Sequence, residues 1–218
     1  MTETVVQDDR DTKTRILDAA ERLMGEHGLD VPLRAITAEA GVNLAAVNYH
    51  FQSKDALIDA MVARRIGPIN RRRLEMLDEI ESANPSGRLP LEPVLEAFLA
   101  PVLLTDGIEH IRPLFGKVYS APKEFMSRIH AKHLKDIATR FADALHRAEP
   151  ELPRVELIWR LYLTVGLMVH VMNWMPLLSH VSGGLCDPSD TEAVIARVVG
   201  FAAAGFRSPL PDIGGGVK

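Results

Sequence analysis

The sequence predicts an all-α protein in which a three-helix N-terminal domain is followed by a larger helical bundle. Apolar residues recur with the 3.6-residue period of a helix along most of the chain, whereas alternating β-branched runs are scarce. Hydrophobic residues make up 47% of the 218 residues, which is enough for a substantial core. Glycine and proline are concentrated at a few points, where they mark the ends of helices.

The N-terminal part begins with a polar, acidic stretch at residues 1–11, which we expect to be a disordered tail. The first helix is predicted over 12–27 and should end at Gly28. Its apolar residues share one stripe of the helix surface, as an amphipathic helix requires. These residues are Ile16, Leu17, Ala20, Leu23 and Met24.

Two short helices are predicted next, at Leu33–Ala40 and Leu44–His50. Gly41 joins them because a residue without Cβ adopts the left-handed conformation of a tight turn at no steric cost. Asn43 can cap the second helix with its side-chain oxygen. A helix of two turns is unstable alone, so its neighbours must hold it. A short, rigid surface helix after a tight turn is typical of a helix-turn-helix DNA reader.

These residues resemble the N-terminal domain of the TetR family of bacterial transcriptional regulators. The resemblance rests on Ile36–Asn43 (ITAEAGVN) and Val47–Leu57 (VNYHFQSKDAL), and it extends over about residues 12–65. It implies a homodimer that binds DNA through its helix-turn-helix domains and a small molecule through its C-terminal domains. Asn48 departs from the family pattern, in which an aromatic residue is frequent, and Val31-Pro32 stands where a Ser/Thr cap is frequent. Some similar regulators with the Ala-Val-Asn-Tyr-His-Phe form respond to fatty acids or acyl compounds.

A fourth helix is predicted from Lys54 to Ser82, capped by Ser53. Gly67-Pro68 should kink or break it, since proline removes a helical hydrogen bond. Further helices are predicted at Glu92–Leu104, His110–Ser120, Pro122–Arg147, Arg154–Met175 and Asp190–Phe206, the last with Ser189 in a capping box. The predicted division is a helix-turn-helix domain at 12–58, a ligand-binding and dimerisation domain at 59–207, and a flexible tail at 208–218.

The candidate DNA contacts lie on the second short helix and its flanks. Small and apolar side chains at its start would allow close approach to base edges and thymine methyl groups, and the amide of Asn48 can pair with adenine. Tyr49, His50 and Lys54 are interpreted as phosphate contacts. Solvated or purely structural roles are the alternatives. The predicted set is Arg34, Thr37, Asn43, Leu44, Ala45, Ala46, Asn48, Tyr49, His50 and Lys54.

Aromatic, methionine and a few polar residues of the second half form a candidate ligand site, with plain core packing as the alternative for each. Bundles place apolar pockets between helices, which favours a lipophilic or aromatic effector. The predicted set is Phe98, Phe115, Tyr119, Phe125, Met126, His130, Trp159, Tyr162 and Asn173. A small-residue stripe on the last helix would let a partner helix approach closely. The predicted dimer interface is Trp174, Ala193, Ala196, Gly200 and Ala204.

The densest basic run is expected to be a solvated face rather than a DNA-binding surface. Ion pairs with Glu75, Asp78 and Glu79 would neutralise it. The run consists of Arg64, Arg65, Arg71, Arg72 and Arg73.

Other classes of function are disfavoured. No Ser-His-Asp, glycine-rich phosphate-loop or paired-carboxylate motif indicates an enzyme, and no cofactor is expected. His130 and His133 share a helical face but lack a further metal ligand of suitable spacing. The apolar run Leu161–Met175 has 15 residues, fewer than the roughly 20 that a membrane span needs. The single Cys186 and the polar N-terminus favour a cytoplasmic protein.

The sequence thus predicts a dimeric repressor that a lipophilic small molecule releases from a palindromic operator. Two alternatives stay open: an activator or ligand-independent DNA-binding regulator, and a helical small-molecule-binding protein without DNA binding. The charge balance and Asn48 keep the second alternative open. The net charge of the chain is −4, and Arg10–Ile58 has six Lys/Arg against seven Asp/Glu. Most nucleic-acid-binding domains carry a basic patch instead.

Overall fold

The computed structural model describes residues 2–104, 116, 118 and 121–211, with side chains from Asp11 onward, and every regular element in these ranges is helical. The helices are α1 (Thr2–His27), α2 (Leu33–Ala40), α3 (Leu44–Phe51), α4 (Lys54–Ala83), α5 (Leu91–Leu103), α6 (Lys123–Ile129), α7 (Lys135–Ala148), α8 (Arg154–Val181) and α9 (Thr191–Arg207). A π-helical turn, His130–Leu134, connects α6 to α7. The all-α prediction is confirmed. The helix predicted at 110–120 lies almost wholly outside the described residues.

The chain forms two compact units whose boundary divides α4 between Asn70 and Arg71. Unit 1 comprises residues 1–70 and 105–135, and unit 2 comprises residues 71–104 and 136–218. This division differs from the predicted domain boundary at 58/59. The reason is packing: Ile129 is buried in the core of the N-terminal helices, and Phe125 packs against the same core.

The core of unit 1 is built by the apolar stripe that the sequence predicts on α1. Ile16, Ala20 and Met24 are fully buried, and α2 and α3 pack on this helix. Val47 of α3 and Leu57 of α4 are also fully buried. The short helix α3 is therefore held from beneath by packing, as its length requires.

Helices α1 and α4 each differ from the prediction in one main feature. The first helix begins at Thr2 instead of Thr12, so it includes residues 2–11 of the stretch that was expected to be a tail; this stretch contains no glycine or proline to interrupt a helix. The fourth helix continues through Gly67 and Pro68 without a break. Ile66 and Ile69 on either side of that pair are both buried, and their packing offsets the hydrogen bond that proline removes.

In unit 2, α9 packs against α5 and α8 through an apolar face. Asp190 caps α9 by accepting a hydrogen bond from the Ala193 amide at 3.0 Å, so the predicted cap at Ser189 is wrong by one residue. Helix α8 runs to Val181, past Pro176, and is six residues longer than predicted. It is long and apolar enough to cross a membrane, with a mean hydropathy of 1.4 over its most apolar stretch, although such helices also occur in the cores of soluble proteins.

A buried arginine holds the segment that follows α9. Arg160 of α8 donates hydrogen bonds to the carbonyl oxygens of Gly205, Phe206 and Ser208 at 2.6–3.0 Å. Its guanidinium thus donates to carbonyls at and just beyond the C-terminal end of α9, where the helix no longer supplies i+4 amide donors. The start of the predicted flexible tail is consequently fixed at Ser208, and residues 212–218 lie outside the described residues.

Candidate DNA-binding surface

Helix α3 has an apolar base and an exposed polar face. Val47 and Phe51 are buried in the unit 1 core, at 0% and 5% exposure. Asn48 and Tyr49 lie on the opposite side, and Tyr49 is 75% exposed. An exposed tyrosine and an exposed amide beside a fixed helix can reach DNA without rearrangement of the core.

Side-chain caps fix both ends of the segment that carries these residues. Asn43 Oδ1 accepts a hydrogen bond from the Ala46 amide at 2.9 Å, as predicted for an N-cap. Ser53 Oγ accepts one from the Ala56 amide at 3.1 Å and caps α4. Lys54 is therefore the first residue of a capped helix, where the N-terminal dipole adds to the attraction for a phosphate.

The other predicted contacts divide into accessible and buried residues. Arg34 and Ala45 are exposed, and Leu44 is 41% exposed. Ala46 and His50 are half-buried, and the His50 ring meets the Tyr49 ring edge-on at 5.1 Å. Thr37 is 6% exposed, and its hydroxyl donates to the carbonyl oxygen of Arg34 at 3.0 Å. That burial makes Thr37 the least accessible of the predicted contacts.

Arg15 of α1 contacts the turn between α2 and α3. It is not among the residues that the sequence analysis predicts to be functional. Its Nη2 donates hydrogen bonds to the carbonyl oxygens of Ala40 at 2.5 Å and Gly41 at 3.0 Å. The contacting residues are 25 and 26 positions apart in the sequence, so no local sequence pattern predicts these contacts. Lys13, two residues earlier, lies 5.8 Å from the centre of the Phe51 ring.

Most acidic residues of the predicted N-terminal domain form ion pairs. Five of its seven acidic residues are paired: Asp18, Glu21, Glu26, Glu39 and Asp55. Three of their partners, Arg64, Arg65 and Arg128, lie outside the segment in which the charge was counted. The count over Arg10–Ile58 therefore leaves out arginines that the fold brings to these carboxylates.

The basic run of α4 has several structural roles. Arg72 pairs with Glu75 and Glu79 at 3.4 and 3.8 Å, as predicted. Arg73 is not solvated: it is 4% exposed and donates to the Phe98 carbonyl oxygen at 2.8 Å. Asp78, a predicted partner of this run, pairs with Arg140 at 3.0 Å.

The predicted ligand residues fall in different units. Phe98, Trp159, Tyr162 and Asn173 belong to unit 2, whereas Phe125, Met126 and His130 belong to unit 1. Phe115 and Tyr119 lie outside the described residues. The described members of the predicted set are therefore divided between the two units, with four in unit 2 and three in unit 1.

Within unit 2, the predicted ligand residues have separate surroundings. The Phe98 ring packs on Phe141 at 5.1 Å, and the Asn173 amide donates to the Val169 carbonyl oxygen at 2.7 Å. Trp159 and Tyr162 are 58% and 69% exposed. Phe98 is thus a core residue, while the two exposed aromatic residues lie at the surface of α8.

The candidate metal ligands His130 and His133 lie in the π-helical turn, where an i, i+3 pair has a different offset from that in an α-helix. Burial lowers the pKa of His133, which favours the neutral imidazole. Among the described residues, no group of three His, Cys, Asp or Glu side chains is placed to hold a metal ion.

A groove of about 560 Å³ lies between α8 and α9 in unit 2. Apolar side chains dominate its walls, including Trp159, Leu163 and Phe201. Leu163 and Phe201 are 63% and 73% exposed, and Trp174, farther along α8, is 57% exposed. Of the predicted interface residues on α9, Ala196, Gly200 and Ala204 are exposed and Ala193 is half-buried. These helices consequently present an apolar, accessible surface.

Two family models match this chain, one in its N-terminal part and one in its C-terminal part. Residues 16–61 match the model of the bacterial regulatory proteins of the tetR family. Residues 96–205 match the tetracyclin repressor-like C-terminal domain, which alone covers just over half of the chain. No curated protein sequence gives a significant match.

Solved structures with the same fold include bacterial transcriptional regulators. One from Pseudomonas aeruginosa PAO1 is 20% identical with a TM-score of 0.57, and the match covers 89% of this chain and 92% of that one. One from Aquifex aeolicus VF5 is 19% identical with a TM-score of 0.56, covering 87% and 98%. A SmeT–triclosan complex is 20% identical with a TM-score of 0.59, covering 92% and 99%.

Both family models match, in the order that the fold displays, and the N-terminal match contains the whole helix-turn-helix motif with its capped, exposed α3. The chain therefore belongs to the TetR family of DNA-binding transcriptional regulators.

Proposed function

We propose that the chain is a homodimeric repressor that a lipophilic or aromatic small molecule releases from a near-palindromic operator. The observation that carries the DNA part is the exposure of Asn48 and Tyr49 on a helix whose base and N-terminus are fixed. Exposed Arg34, and Lys54 as the first residue of the helix that Ser53 caps, support phosphate contacts on both sides of α3. Two such helices in one dimer would read two half-sites in successive major grooves.

The apolar surface of α8 and α9 supports dimerisation. Leu163, Trp174 and Phe201 are each more than half exposed, although burial of such side chains is strongly favourable. A Cβ built on Gly166 or Gly200 meets no described atom within 4 Å, so the packing of the described chain does not require glycine at either position. Glycine inside a helix costs about 1 kcal/mol relative to alanine. Close approach of a second subunit would give these glycines a role.

The effector proposal rests on the apolar character of unit 2 and on one structural relative. The SmeT structure is a complex with triclosan, and it shares its fold with this chain. An aromatic or lipophilic effector fits the same type of domain here, while an acyl compound rests on the sequence resemblance alone. A cytoplasmic location is part of the proposal, since the operator is there.

Helix α4 is the proposed route between effector and DNA. It begins at Lys54, and the boundary between the compact units falls two residues beyond Pro68. A helix shared by both units can transmit a change only if the effector binds the two states differently. Pro68 lies inside α4 and cannot donate a backbone hydrogen bond, so we place the proposed hinge at that turn.

The function is tested by selection of genomic fragments with the purified protein at two salt concentrations. The proposal expects a few enriched palindromes that are lost in a triple variant, Asn48→Ala, Tyr49→Ala and Lys54→Ala. Genes beside these sites would then indicate the effector class. Weak binding that is lost at the higher salt concentration, and that is equal in the variant and the unmodified protein, would favour a ligand-binding protein without a DNA role. Reporter assays in the presence and absence of the protein separate a repressor from an activator.

Pro68→Ala tests the proposed hinge. The substitution restores a backbone donor to α4 and should change effector-induced release by several-fold while operator affinity without effector changes less. Fluorescence anisotropy on the enriched duplex measures both quantities. Equal release by the variant and the unmodified protein would remove Pro68 from the mechanism.

A further inference from the structure

Arg15 has an unusual pair of partners for an exposed arginine. Its guanidinium donates to two successive backbone carbonyl oxygens, Ala40 O at 2.5 Å and Gly41 O at 3.0 Å. These atoms lie at the end of α2 and in the turn that leads to the reading helix. The residue itself lies one position before the segment that matches the family model.

The turn that Arg15 contacts has little other means of fixing these two carbonyls. The Gly41 amide donates to Ala38 O at 3.2 Å, and the Val42 amide donates to Thr37 O at 3.0 Å. This Schellman arrangement satisfies earlier carbonyls of α2 but leaves those at its very end to other donors. A guanidinium suits this task because its donors form a rigid planar fork.

The absence of a side chain at Gly41 matters for the contact with Arg15 as well as for the turn. Its φ of 64° lies in the left-handed region. A Cβ at this position would lie 2.9 Å from Arg15 Nη2, closer than packed atoms approach. The absence of a side chain thus serves the turn and also leaves room for the guanidinium.

We propose that Arg15 is a positioning residue for operator recognition, which locks the turn between α2 and α3 so that α3 meets DNA at one angle. Its guanidinium is engaged with protein carbonyls and need not contact a phosphate. Asn43, two residues beyond Gly41, caps α3, so a displacement of the turn moves the start of the reading helix directly. Operator affinity therefore depends on Arg15 through the orientation of Asn48 and Tyr49. The inference deepens the proposed function and rests on α3 being the reading helix.

The test compares Arg15→Ala with Arg22→Ala in the full-length protein. Arg22 is a matched control: it lies on the same helix, contacts Glu39 of α2, and its replacement changes the charge equally, but it does not hold the turn carbonyls. On the duplex that the unmodified protein selects from random-sequence DNA, Arg15→Ala should weaken binding about tenfold. Arg22→Ala should change it less than about twofold.

Salt dependence separates a positioning role from a phosphate contact. A lost phosphate contact reduces the slope of log K against log salt by about one. Arg15→Ala should leave the slope unchanged, and Arg15→Lys should recover little affinity, because an ammonium cannot reproduce the fork. A slope reduced by about one, together with full recovery by lysine, would overturn the proposal in favour of a direct phosphate contact.

A second measurement needs no DNA. Hydrogen exchange of the backbone amides at residues 41, 42 and 46 should accelerate in Arg15→Ala, while α5 exchanges as before. Unchanged exchange in the turn would overturn the proposal even if no operator were found. Gly41→Ala should accelerate exchange more in the unmodified protein than in the Arg15→Ala background, where the close contact with Nη2 is gone. Additive effects would show that the two residues do not act together.

Discussion

Two exposed surfaces of this protein differ in what they expose and in how they are held. The face of α3 is polar, with Asn48 and Tyr49 above a helix of eight residues that caps and core packing fix. The face of α8 and α9 is apolar, with Leu163 and Phe201 more than half exposed on long helices. The first surface can remain hydrated until DNA arrives, whereas the second gains free energy as soon as another apolar surface covers it.

This contrast indicates how each surface should respond to mutation. A polar reading surface depends on orientation, so small displacements of its support matter as much as the loss of a contact. An apolar association surface depends on the area that it removes from water, so a charge placed at its centre should have the largest effect. The first two predictions below can contradict that division, and the third concerns a group outside both surfaces.

The largest expected effect follows the substitution Phe201→Asp. A carboxylate at the centre of the proposed subunit interface would be buried without a partner, and we expect dimer dissociation to become about a hundredfold easier. Phe201 is 73% exposed in the single chain, so the fold of the subunit should survive. Sedimentation equilibrium over a range of concentrations measures the change.

Leu185→Asp is the matched control for this prediction. Leu185 is 91% exposed and lies in the loop that follows α8, so the same chemical change should leave association almost unaltered. If Phe201→Asp remains as dimeric as the control, subunits do not associate through α9. The exposed apolar face of α8 and α9 would then need a different explanation.

A smaller effect is expected from single substitutions on the reading surface. Loss of a base contact and loss of a phosphate contact should change DNA binding in different ways. Asn48→Ala should weaken binding to the selected operator roughly tenfold. It should also relax the sequence preference at one base pair, since an amide discriminates between base edges. Lys54→Ala should weaken all sequences alike and reduce the salt slope by about one. Competition binding with operator variants at several salt concentrations measures both patterns.

Lys123→Ala controls for the loss of charge. Lys123 is the first residue of α6, as Lys54 is of α4, and its side chain is exposed. We expect its replacement to leave both affinity and salt slope near the unmodified values. Equal losses in the two lysine variants would mean that Lys54 acts through the overall charge of unit 1 and not through a placed contact.

The sequence predicted local features of the N-terminal unit well because their causes are local. Gly41 adopts the left-handed conformation, Asn43 caps α3, and Ser53 caps α4, as their residue types suggest. The apolar stripe of α1 is buried for a similar reason, since a periodic pattern specifies which face meets the core.

Contacts between distant segments could not be predicted in the same way. Arg15 reaches Gly41 across 26 residues, and Arg64 and Arg65 pair with acidic residues of α1 instead of their neighbours on α4. Nor does composition distinguish an exposed aromatic residue from a buried one: Trp159 is exposed and Phe98 is buried, although both looked like core or pocket residues. The predicted ligand set depends most on such contacts, because a pocket is defined by tertiary packing.

The smallest predicted effect is on the stability of unit 2 and concerns Glu81, whose carboxylate is paired within the chain and is not part of either proposed binding surface. The carboxylate of Glu81 accepts hydrogen bonds from Arg140 at 2.5 and 2.8 Å and from Arg147 at 2.6 Å. The hydrogen bonds from Arg140, with the charges of both arginines, lower the pKa of Glu81 from its usual 4.5. Glu81→Gln should reduce the free energy of unfolding of unit 2 by about 1 kcal/mol at neutral pH, without altering operator affinity.

The pH dependence of this loss has a definite sign. A lowered pKa in the folded state means that the stabilisation by Glu81 is complete above pH 4.5 and declines as the pH falls through the lowered value. The stability difference between the unmodified protein and Glu81→Gln should therefore shrink in acid. Both tryptophans, Trp159 and Trp174, lie in unit 2, so their fluorescence follows urea unfolding of that unit at fixed protein concentration. Glu75→Gln, at an exposed pair with Arg72, should shift the curve by less than about 0.5 kcal/mol; an equal shift would mean that the two arginines give Glu81 no advantage over a surface ion pair.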